Sequence, residues 1–143
     1  MSDMPEITRR LADEALGWAL VDESVERCGI WFFPDVGAAN FLPLPNHHDT
    51  PERHFKVEYD DIERAILGLY GESRGRIAIF HTHPQIGLPS PDDVQLAETF
   101  EKQMDGHPLW RMTERHLIYS TWDLSWWWFD LVAFGRCNRW PEP

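Results

Sequence analysis

Arg76-Ile77-Ala78-Ile79-Phe80 is a short apolar run, and His81-Thr82-His83 follows it directly. Such a run suits a strand buried on both faces. Past the loop at residues 84–89 comes Ser90-Pro91-Asp92-Asp93, with Ser as N-cap, Pro at the first helical position and Asp at the third. Val94, Leu96, Ala97 and Phe100 then carry a helix to about residue 103. A buried strand that hands over to a helix predicts helices packed on a sheet, with both histidines at the strand's C-terminal end.

Working outward, Ile7, Leu11, Ala15, Leu16 and Ala19 recur at spacings of three and four, which predicts an amphipathic helix over residues 6–20. The aromatic run at residues 28–33, ended by Pro34 and Asp35, reads as a buried strand, with a hairpin around Gly37 returning at 40–44. Residues 46–53 are polar and contain a proline, so a surface loop is expected there, followed by an edge strand at 54–57. Ile62, Ala65, Ile66 and Leu69 mark a second helix, opened by Asp60 and Asp61 and stopped at Gly71. Strands are expected at 116–121 and 125–134, divided by a turn at Trp122-Asp123, and the tail at 138–143 should be loose. The predicted fold is α/β or α+β, in the order α-β-β-α-β-α-β-β.

A chain of 143 residues without repeats or a linker fits one domain over 1–143. Two cysteines, Cys28 and Cys137, are too few for a disulfide framework and point to structural thiols in a reducing compartment. The N-terminus is charged where a signal peptide would be apolar, and no apolar run is long enough to span a membrane, so the expected location is cytoplasmic. The net charge of −11, from 13 basic and 24 acidic residues, excludes a sequence-independent grip on nucleic acid and favours a protein or peptide partner. In Trp126-Trp127-Trp128 the middle ring should point away from its neighbours. An exposed tryptophan there would offer a surface for docking or self-association.

Two histidines one residue apart on an extended chain point to the same side and can reach one ion. Asp93, in the first turn of the following helix, can complete a His, His, Asp set, which leaves a fourth position for water, as in a catalytic zinc site. Iron or manganese could take the same three ligands. A bound metal would make hydrolysis the expected reaction. His47 and His48 are neighbours in a polar loop and point apart, while His54, His107 and His116 lack partners at ligand spacing. Signatures of other zinc hydrolases, nucleoside deaminases and phosphate-binding loops are missing from the sequence.

The run His81-Thr82-His83-Pro84 with Ser90-x-x-Asp93 resembles the motif of the JAMM (JAB/MPN) metalloproteases, and Glu26-Arg27-Cys28-Gly29 resembles the placement of that family's upstream glutamate. The resemblance covers about residues 5–134 and is nearest to the prokaryotic and phage-tail JAB branch. It implies a mixed β-sheet sandwiched between helices and one zinc ion on His81, His83 and Asp93. It further implies Glu26 as general acid and base and Ser90 as an oxyanion donor. The loop before Ser90 is one residue shorter than is usual in that family, which keeps Asp92 as the alternative third ligand, and Asp22 and Glu23 stand close to Glu26. The activity so implied is cleavage of a peptide or isopeptide bond. Three settings are compatible with it: phage tail assembly, with the protein in a bacterial or phage-infected cytoplasm or on the virion; removal or processing of a ubiquitin-like protein in a bacterial pathway; or a non-catalytic module of a phage tail.

Overall fold

A computed structural model describes residues 7–52, 54–84 and 88–137. Three helices and seven strands follow the chain: α1 (Arg9–Ala19), β1 (Cys28–Pro34), β2 (Asn40–Leu44), α2 (Tyr59–Tyr70), β3 (Gly75–His83), α3 (Pro91–Met104), β4 (Trp110–Met112), β5 (His116–Ser120), β6 (Ser125–Phe129) and β7 (Phe134–Arg136). The strands form one mixed sheet in the order β2-β1-β3-β5-β6-β7, with β4 also paired to β3.

Each expected helix forms, and for the expected reasons. Thr8 caps α1, its side chain accepting from the Leu11 N–H, and Leu11, Ala12, Ala15 and Ala19 are buried. Glu6, where that helix was expected to begin, lies outside the described residues. Asp60 and Asp61 occupy the first turn of α2, and Gly71 ends it at φ 63°, a left-handed conformation that glycine takes without strain.

The sheet has an apolar layer on each face. Trp31, Phe33, Ala78, Phe80, Leu117 and Trp126 pack against α1. On the other face Ile30, Phe32, Ile77, Ile79 and Ile118 meet α2 and α3. The alternation along β1 and β3 therefore sorts consecutive residues to opposite helical layers, and the mixed sheet between helices is the expected architecture.

Four details differ from expectation. Residues 54–57 form no strand, because the Asn46 side chain and the loop take up their backbone groups: Asn46 Nδ2 donates to His54 O, Lys56 N donates to Asn46 Oδ1, and His47 N donates to Lys56 O. The strand expected over 125–134 is broken at residues 130–133, where Asp130 Oδ1 accepts from the Val132 and Ala133 N–H groups and turns the chain. Beyond the turn the chain forms the separate short strand β7. Finally, β4 is an additional strand of three residues, and β3 runs on through both histidines instead of ending at Phe80.

Strands β4 and β5 lie one after the other along the same edge of β3, both parallel to it. Thr113 N still donates to Ile77 O at 2.9 Å; the chain leaves that edge at residues 114–115, and there the His116 side chain takes over, its Nδ1 accepting the Ile79 N–H at 3.0 Å. Trp126 is buried and Trp127 and Trp128 are half-buried on opposite faces, whereas Trp122 in the β5–β6 turn is 70% exposed. Among the described residues no helix is long and apolar enough to cross a membrane. The tail at 138–143 lies outside the described residues.

Candidate metal centre

On the face of β3 that meets α2 and α3, the row Ile77, Ile79 continues as His81 and His83. Both imidazoles are buried, and their Nε2 atoms lie 3.0 Å apart. Asp93 comes to them from the first turn of α3. Its Oδ1 is 3.3 Å from His81 Nε2 and its Oδ2 is 3.2 Å from His83 Nε2. The helix start aims this carboxylate: Ser90 N donates to Asp93 Oδ2 at 2.8 Å, while Asp93 N donates to Ser90 Oγ at 3.2 Å. One capping box thus starts the helix and fixes the acid.

Glu26 closes the group from the segment before β1, its Oε1 3.8 Å from His83 Nε2. One nitrogen or oxygen from each of Glu26, His81, His83 and Asp93 lies within 4.8 Å of all the others, and all four residues are buried. The alternatives left open by the sequence fall elsewhere. The Asp92 side chain is 77% exposed, 3.8 Å from His54 Nδ1. Asp22 is exposed and accepts from the Ser24 N–H and hydroxyl, and Glu23 is exposed too.

The electrostatics of the quartet follow from burial. Burial lowers the His81 pKa below its ordinary 6.5, against the pull of Asp93. Burial alone would raise the Asp93 carboxyl, but His81 and His83 outweigh it and hold that acid well below the carboxylate range. Burial, and after it the Asp93 charge, pushes Glu26 up to about 9. Among the described residues neither acid pairs with a lysine or arginine, and Glu26 Oε1 has no hydrogen-bond partner.

Burial thus favours the neutral imidazole and the histidines favour the ionised carboxylate, the forms in which these groups ligate a divalent cation. The donor set of two imidazoles and one carboxylate, with a second acid beside it, fits zinc. Ligating histidines usually donate their other ring N–H to a fixed acceptor. His81 Nδ1 has no such partner; instead Phe55 stacks on the ring at 4.1 Å between centroids. Phe55 is a site residue whose stretch, the Asn46 loop with His54-Phe55, falls within the family resemblance, but to which the sequence assigns no role of its own.

Beside Asp93 opens a cleft of about 280 Å³, walled by His54, Phe55 and Lys56 on one side and by Ser90, Asp92 and Leu96 on the other. The remaining histidines have other partners. His47 Nε2 lies 2.8 Å from Asp61 Oδ2, His48 stacks on His54, and His107 accepts from the Leu109 and Trp110 N–H groups. Cys28 is buried, and burial pushes its thiol up to about 12, which makes it inert.

A protein of Thermus thermophilus named "Probable TtuB-protein conjugate cleaving protease" is 29% identical to this chain over 92 residues, which is 64% of this chain and 62% of that protein. The chain therefore spans less than two thirds of that relative's length. This likeness is consistent with a JAMM-type protease at the level of the family. No protein-family model matches the chain, and no solved structure matches it significantly.

Proposed function

We propose that this protein is a zinc-dependent peptidase that cleaves a peptide or isopeptide bond. The observation that carries the reading is the buried quartet of Glu26, His81, His83 and Asp93. Zinc would be held by His81, His83 and Asp93, and when bound it supplies Lewis-acid chemistry, polarising a carbonyl and lowering the pKa of a water molecule to about 7. Glu26 takes the proton from the attacking water and delivers it to the leaving amine. Its unpartnered Oε1 is free for that exchange, and its pKa, about 9 from burial and the Asp93 charge, would fall toward the range in which a base works with a cation bound beside it. Ser90 Oγ already accepts the Asp93 N–H, so its own hydrogen remains to donate to the carbonyl oxygen as charge builds there. Helix capping and oxyanion binding thus use different parts of one hydroxyl.

The complete set of four buried groups favours an enzyme over a non-catalytic module. The name of the Thermus relative favours a protein conjugate as substrate over a target in phage tail assembly. The test uses the zinc-loaded chain and a lysine-linked protein conjugate. Glu26→Gln should lower kcat by about 10²- to 10⁴-fold, the range expected for loss of an acid–base group, and should keep its zinc. Cleavage by the variant at the wild-type rate overturns the reading.

A further inference from the structure

We propose that Asn46 is a positioning residue for Glu26, acting through the loop that it closes; this rests on Glu26 as the proton carrier. Glu26 lies just outside the sheet. The β1–β3 register begins at Cys28 opposite His81, and Arg27 adds one more pair of bonds to Thr82. Beyond that the ladder gives Glu26 no support, and its Oε1 has no hydrogen-bond partner to orient it. Its backbone must therefore set the direction of its carboxyl.

That backbone is clasped on both sides by one loop. Glu26 N donates to Pro51 O at 2.6 Å, and Asn46 Nδ2 donates to Glu26 O at 2.9 Å. The second donor of the same amide goes to His54 O at 2.9 Å, while Asn46 Oδ1 accepts from His48 N and Lys56 N, each at 3.0 Å. An asparagine amide has two donors and two acceptor sites, and all four are used. Two carbonyls on one side and two N–H groups on the other fix which end is which. Asn46 thereby ties both arms of the loop to each other and to Glu26. Phe55, next to His54 in that loop, packs on the His81 ring. The loop thus braces the base and one metal-ligand candidate together, without touching Asp93 through any of these bonds.

The test compares Asn46→Asp with the wild-type full chain. The variant keeps an acceptor for His48 and Lys56 and loses both donors. In the zinc-loaded protein, amide exchange at Glu26 should accelerate about tenfold or more while core amides such as Ile30 and Phe80 are unchanged, the mark of a local opening. Zinc should stay bound, and kcat should fall about tenfold or more with KM within about twofold, since positioning acts on the transition state and not on uniform binding. Unchanged exchange at Glu26 overturns the proposal, as does accelerated exchange with unchanged kcat. Asn46→Ala, which loses all four bonds, should show both effects more strongly; if it does not fold, Asn46→Asp carries the test. Accelerated exchange in a chain whose wild type cleaves nothing would support the clasp and sink the peptidase reading instead.

Discussion

The two faces of β3 are built on opposite principles. Toward α1 the strand offers Ala78 and Phe80, and Phe80 meets Trp31 at 5.3 Å, Phe41 at 5.7 Å and Trp126 at 5.7 Å between ring centroids. That layer is apolar and closed. Toward α2 and α3 the strand begins in the same way, with Ile77 and Ile79, and then within two residues becomes His81 and His83. A side-chain period of two lets one strand anchor the core with one row and present ionisable groups with the other. Stability and chemistry are thereby separated by face, and substitutions on the two faces should have different consequences.

The largest loss of stability should come from the closed face. Phe80→Ala removes the ring at the centre of the aromatic layer, and denaturant unfolding should show a loss of about 3–5 kcal/mol; a loss below about 1 kcal/mol would mean that the layer is looser than its ring contacts imply. A smaller effect is expected at Gly29, where β1 lies against its outer neighbour β2. A Cβ on Gly29 would lie 2.7 Å from Leu42 O and run into the Phe41 ring. Gly29→Ala should therefore cost about 1–3 kcal/mol through overpacking, read from the same unfolding curves.

The smallest effect at neutral pH should belong to His116, behind the open face. Burial, with some repulsion from His81, pushes its imidazole down from 6.5 to about 3. The unfolded chain takes up a proton near 6.5 and the folded chain only near 3, so this residue's contribution to stability is present above pH 6.5 and is lost as the pH falls toward 3. One proton gives a slope of at most about 1.4 kcal/mol per pH unit. His116→Asn, whose side-chain oxygen can accept the Ile79 N–H, should be close to wild type at pH 7 and show a flatter decline in acid. An unchanged decline would remove His116 as its source.

The division between the faces also explains how much of the fold is legible in the sequence. The helices are legible because their apolar residues repeat at about 3.6 over several turns, and β1 and β3 because each is a short uninterrupted apolar run. β4 and β7, at three residues each, carry too little pattern. Residues 54–57 look like an edge strand, but the Asn46 side chain and the His47 N–H take up backbone groups that a neighbouring strand would have bonded. His81, His83 and Asp93 are visible from ligand spacing and from the helix start at Ser90. Glu26 is not separable from Asp22 and Glu23 by spacing; only its resemblance to a known motif singles it out, and in the fold the other two are exposed. The four bonds of Asn46 span up to 20 residues and leave no periodic trace.

The claim on which the rest depends is that the buried quartet holds a metal, with Asp93 and not its exposed neighbour as the third ligand. The direct measurement is the zinc content of the purified full chain beside Asp93→Asn and Asp92→Asn, with circular dichroism to confirm folding. We expect one zinc ion per chain in the wild type and in Asp92→Asn, and its loss from a folded Asp93→Asn. A folded wild type that takes up no divalent metal, or an Asp93→Asn variant that binds zinc as the wild type does, would contradict the account.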